Sequence, residues 1–145
     1  MVEDQNNIPD AITAIVDGLD AGMLNLHNDV LNAVLRNWES GADAMGNSWA
    51  PLAEGTIRSG GSDDILVESG DLRENVERTS HYDARNTASI IGTTSPVAGI
   101  HEFGLPEQGI PARPFISPAA RYAEQNFEQF VDSEIDTRLE GTTVD

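Results

Sequence analysis

The stretch from residue 100 to 118 reads IHEFGLPEQGIPARPFISP, and among its side chains of reactive type His101, Glu102 and Arg113 pose the first question. A histidine beside a carboxylate supplies the two partners of general acid–base chemistry. With His81 they form a two-histidine, one-carboxylate set of the kind that holds a divalent metal. Nothing in the spacing requires the three to meet. His27 lies inside a helical run and has no histidine four residues on, so the H-E-x-x-H pattern is absent. Asp63 and Asp64 are adjacent, but close acid pairs are expected among 25 Asp and Glu. With no cysteine, thiol catalysis, thiolate-metal sites and disulfides are excluded. There is no G-x-S-x-G elbow, and a chain without lysine cannot build a phosphate loop. The sequence therefore assigns no catalytic, cofactor or metal residue. A small metal-dependent hydrolase using His81, His101 and Glu102 stands as the alternative.

The same stretch has a mechanical reading. Pro111 and Pro114 fix their own φ near −65° and press the residues before them, Ile110 and Arg113, toward extended backbone. IPARPF is then a stiffened segment that presents Arg113, Phe115 and Ile116 at small ordering cost, which favours recognition. Arg and Phe are enriched at interfaces. Phe115 is expected to plug the protomer's own core. Arg113, in a chain with 8 basic residues, is expected to reach a carboxylate of a neighbouring subunit. The alternative for Arg113 is a backbone or carboxylate partner in its own chain.

Charge dominates the composition. The formal net charge is −17, and every basic residue is arginine. Hydrophobic residues make up 39% of the chain and recur periodically, which argues for a folded protein rather than a disordered one. The acids are spread along the chain, as on a surface built for molar salt. Such a surface disfavours direct binding to nucleic-acid phosphates, because that affinity comes from Lys and Arg clusters. The N-terminus MVEDQNNIPDA lacks signal-peptide character, and no run approaches the ~20 apolar residues of a membrane span.

Those 145 residues suggest one α+β domain, with two long helices covering a small antiparallel sheet and long loops between elements. Residues 1–9 are an N-terminal arm. Residues 10–40 carry Ile12, Ile15, Val16, Leu19, Met23, Leu26, Val30, Val34 and Trp38 at spacings of three and four, which predicts a helix that turns that stripe to a core or an interface. Residues 41–66 read as a flexible loop, pinned by Trp49 and Leu52 around Pro51, with Gly60–Asp64 at its tip. Within it, residues 57–66 are the candidate for an arm that orders on docking. Residues 67–116 hold a short helix capped by Ser69 and carrying Leu72 and Val76. They also hold a hairpin (76–82 with 87–93, turning at Asp83–Asn86) and the rigid loop. Residues 117–140 form a helix that Ser117 caps and Pro118 begins, burying Ala120, Ala123, Phe127, Phe130, Val131, Ile135 and Leu139. Gly141 ends it, leaving 141–145 frayed.

Five short motifs appear in order: Trp49-Ala50-Pro51-Leu52, Thr56-Ile57-Arg58, Leu66 with Ser69-Gly70 and Leu72, Ala98 with His101-Glu102-Phe103-Gly104, and Ile110-Pro111-Ala112-Arg113-Pro114-Phe115-Ile116. Together, over residues 49 to 116, they resemble the virion morphogenesis proteins of tailed phages, the tail-completion or neck family. Val97 stands where that pattern has Tyr, and Leu105–Gly109 is an insert. The resemblance implies a non-enzymatic virion protein of the head–tail connector, assembled in the host cytoplasm. In that role it completes the tail and joins it to the head as a homo-oligomeric ring, six-fold in expectation. A head-closure adaptor or tail terminator of the same neck is the near alternative. Implied partners are further copies of the chain and the neighbouring neck, connector and tail-tube proteins. The genome passes through without specific binding, and no cofactor or membrane takes part. On this reading the assembly interface comprises Trp49, Leu52, His101, Phe103, Pro111, Arg113, Pro114 and Phe115. The lysine-free acidic surface points to a virus of halophilic archaea.

Overall fold

A computed structural model describes residues 8–51 and 70–142 of the chain. Ser69, Leu52 and the proposed docking arm lie outside the described residues. The elements are α1 (Ile8–Ser40), α2 (Gly70–Thr79), β1 (His81–Asp83), β2 (Ala88–Ile90), α3 (Ala98–Phe103), a 3-10 turn (Pro106–Gln108) and α4 (Ile116–Glu140).

The chain is mixed helix and sheet, and its helices dominate. α1 has 33 residues and α4 has 25, and the two lie against each other along their lengths. The sheet has only two strands, paired antiparallel with Tyr82 opposite Ser89, and it rests on α1. The long helices therefore pair with each other rather than covering a sheet. The hairpin is shorter than its sequence suggests because residues 76 to 79 belong to α2. Leu72 and Val76, four apart, bury on one helical face at 2% and 0% exposure, and that packing outweighs the strand preference of Val76.

α1 is two helices in one by function. Its C-terminal half buries Leu26, Val30, Val34 and Trp38 in a core shared with Trp49, Leu72, Val76, Phe115 and Ala119. Its N-terminal half meets α4 through Ala14, Gly18 and Gly22 instead of the aliphatic stripe. A Cβ on Gly18 would lie 2.7 Å from Cα of Ile135, and one on Gly22 would lie 2.7 Å from Cα of Val131. Small residues four apart let the two backbones approach closely. That contact turns Ile12, Ile15, Val16 and Leu19, expected to face a core or an interface, out to the surface of the protomer.

Polar contacts align these parts. Tyr82 donates its hydroxyl to Asp20, Tyr122 donates to Asp29, and the Arg73 guanidinium donates to the Leu35 carbonyl. Burial and the Asp20 carboxylate push the Tyr82 phenol up to about 12. Among the described residues no helix is long and apolar enough to cross a membrane.

Candidate functional site

The proline loop is built by three consecutive residues of α3 that turn three ways. His101 faces inward. Its ring stands 5.6 Å from Trp38, 4.9 Å from Trp49 and 5.3 Å from Phe115, centroid to centroid, with edge-to-face contacts to the last two. Among the described residues neither ring nitrogen has a hydrogen-bond partner, nor do Trp38 Nε1 and Asn37 Nδ2. Burial among these rings holds the imidazole below its ordinary value, against the opposing effects of the Arg113 backbone and the Glu102 carboxylate. A neutral ring in an aromatic box packs; it has no base to hand a proton to.

Glu102 turns toward the start of α4. Its Oε2 accepts the amides of Phe115 (2.7 Å) and Ile116 (3.1 Å), and its Oε1 accepts the amide of Ser117 (2.9 Å) and the Ser117 hydroxyl. The first N–H groups of a helix have no partner within it, and their dipoles favour a negative charge. Here the cap comes from 13 residues upstream. Ser117, expected as the cap, is already inside the helix; the N-cap position is Phe115, whose side chain has no oxygen to accept the free amides. Burial pushes the Glu102 carboxyl up, but the Ser117 hydroxyl and the three amides outweigh it and hold it below the usual carboxylate range.

Phe103 faces out, 76% exposed. Gly104 follows with φ 72° and ψ −178°, a conformation reserved for glycine, and its place is doubly constrained. A Cβ there would meet the Ala112 amide nitrogen at 2.6 Å and the Ile110 carbonyl oxygen at 2.7 Å. The insert Leu105–Gly109 closes on itself: Leu105 and Ile110 exchange both backbone hydrogen bonds around the 3-10 turn. The chain thus doubles back, so that the Arg113 amide donates to the His101 carbonyl at 2.7 Å. The H-E-F-G and I-P-A-R-P-F motifs are two sides of one clasp.

Arg113 and Trp49 lock the clasp to the loop after α1. Arg113 donates Nε to the Ala50 carbonyl (2.7 Å) and a terminal nitrogen to the Pro51 carbonyl (2.9 Å). Trp49 Nε1 donates to the Pro114 carbonyl (2.8 Å). These Arg113 donors are spent on backbone of its own chain, the second of the two alternatives for this residue. Phe115 is fully buried, in the protomer's own core. Pro111 is exposed and Pro114 half-buried.

The residues of the hydrolase alternative are not gathered by this geometry. His81 is exposed on β1 and sits beside the Thr79 carbonyl, the His101 ring is boxed in, and the Glu102 oxygens are occupied. Among the described residues, no group of three or more His, Asp or Glu is placed to hold a metal. What the clasp does is hold one aromatic side chain in the open on a frame that cannot yield.

The motifs gathered in this clasp fall within residues 6–136, over which the chain matches the model of the phage virion morphogenesis family. The chain belongs to that family. That family is one of virion assembly. The chain also matches an uncharacterized protein of Methanocaldococcus jannaschii, 45% identical over 38 residues, which is 26% of this chain and 28% of that protein. No solved structure matches it.

The sequence singled out the clasp residues without saying how each acts. That Glu102 caps α4 has one readable signal: a buried-looking acid one residue after a motif histidine, with no good capping side chain at position 115. The roles of Ala50 and Pro51 as acceptors for Arg113 left none, since backbone carbonyls carry no sequence mark.

Proposed function

We propose that the protein is a component of the head–tail connector of a tailed virus, completing the tail and joining it to the head as a homo-oligomeric ring. Phe103 carries this reading. A large aromatic held 76% exposed costs solubility, and here the boxed His101, the Glu102 cap and the constrained Gly104 all fix the backbone that carries it. Rigid exposed aromatics are the anchors of protein interfaces. Pro111, exposed on the same clasp, and the neighbouring Val97 and Ile100 widen the contact. The net charge of −17 without lysine fits assembly in molar salt, as in a haloarchaeal host, and a carboxylate-rich surface leaves passing DNA unbound.

The test is Phe103→Asp in the virus. The expected result is a folded protein with an unchanged circular dichroism spectrum, and heads and tails that fail to join under the electron microscope. Joined particles at wild-type yield would overturn the reading, as would a virion map with the clasp touching no other subunit.

A further inference from the structure

The apolar face that α1 turns outward has a register of its own. Ile8, Ile12, Ile15, Leu19, Met23, Leu26 and Val30 follow one another at spacings of three or four and share one side of the helix over roughly 33 Å. In the first half, Ile8, Ile12, Ile15 and Leu19 stand out as a ridge, between 36% and 64% exposed. In the second half the same line sinks into a groove of about 500 Å³. Met23, Leu26 and Val30 form one wall, with Ile116, Ala123 and Phe127 of α4 opposite. Ridge and groove are collinear and of similar length.

The surroundings say what covers this face. In a chain of net charge −17, the α1 side from Ile8 to Val30 carries no charged residue. Asp10 and Asp17 lie on the opposite side of the helix, and Asp20 and Asp29 are turned aside onto Tyr82 and Tyr122. Glu124 is the one carboxylate lining the groove. A basic partner would be recognised by clustered carboxylates, and the described residues of this face offer Glu124 alone. Two strongly acidic copies, by contrast, can meet closely only where neither brings charge.

We propose that the protein forms an antiparallel homodimer through α1, the ridge of each copy seated in the groove of the other. The register follows from the spacing: Ile8 opposes Val30 of the second copy, Ile12 opposes Leu26, Ile15 opposes Met23, and the two Leu19 side chains meet at the two-fold axis. A two-fold contact is self-complementary, so it fills both ridges and both grooves at once and closes at two copies. The contact uses a different face from the Phe103 clasp, does not rest on the connector reading, and describes the free protein before any ring assembles.

Because the chain has no cysteine, single-cysteine variants read the register directly. Under mild oxidation in molar salt, Leu19→Cys should form a disulfide-linked dimer by itself. Ile15→Cys should do so poorly alone but cross-link well when mixed with Met23→Cys. Sedimentation of the unmodified protein should show a dimer, and Leu19→Asp should raise its dissociation constant on the order of a hundredfold or more. A strictly monomeric protein at high concentration would overturn the proposal. So would a larger assembly that Leu19→Asp leaves intact, or a Leu19→Cys protein that stays unlinked while cysteines elsewhere pair.

Discussion

Replacing Glu102 tests how much of the fold hangs on a single carboxylate. Each of its oxygens accepts two hydrogen bonds: Oε2 takes the Phe115 and Ile116 amides, and Oε1 takes the Ser117 amide and hydroxyl. At 8% exposure, water cannot readily replace it. Bonds to a charged acceptor contribute about 1.5–3 kcal/mol each, and removing an ordinary N-cap costs about 0.5–2 kcal/mol. The bonds act as a group and do not add, so Glu102→Ala should cost about 3 kcal/mol. Glu102→Gln keeps one oxygen with its pair of donors and aims an NH2 at the other pair, so about 2 kcal/mol is expected. Urea unfolding at neutral pH and constant high salt measures both, as a lower midpoint at unchanged slope. The pH dependence gives a second reading. The folded carboxyl titrates below its unfolded value, so its contribution is complete above about 4.3 and is lost as pH falls through the folded value. Wild type should therefore lose more stability than Glu102→Gln on acidification below that point. A Gln variant within about 0.5 kcal/mol of wild type, or acid limbs that run parallel, would refute the capping role.

Two glycines offer contrasting tests by thermal unfolding. Gly104→Ala should cost about 3 kcal/mol or more, because the new Cβ meets backbone at 2.6 Å; Gly109→Ala, with φ 70° but open space around it, should cost only about 1 kcal/mol. Alanine for glycine inside a helix ordinarily stabilises by up to about 1 kcal/mol, but Gly18→Ala should destabilise by about 2 kcal/mol as α4 is pushed away, and a raised Tm would mean the helices do not touch there.

Periodicity located both long helices and Leu72, Val76 and Val131 in the core, because a 3.6-residue repeat is a property of the sequence itself. It did not decide between core and interface for Ile12, Ile15, Val16 and Leu19, because it counts apolar residues and is blind to the merit of small ones. Ala14, Gly18 and Gly22 look like weak helix positions until a second helix needs the room. The hairpin start failed for a related reason: Val76 suits a strand by propensity, and only its packing beside Leu72 makes it helical. In the clasp, the prolines announced stiffness and the motif order announced the family. The capping partner of α4 could not be read, since Glu102 and Ser117 are joined by a turn that only the three-dimensional path reveals.

The carboxylate next to Phe103 grips the first turn of α4, and that helix is seated on α1 with no side-chain cushion at Gly18 or Gly22. A pull on the aromatic therefore enters a 25-residue rod at its tip, through one stiff joint with no slack strand between. The paired rods shift together as a beam, and load applied at the clasp is felt at the far end of the molecule.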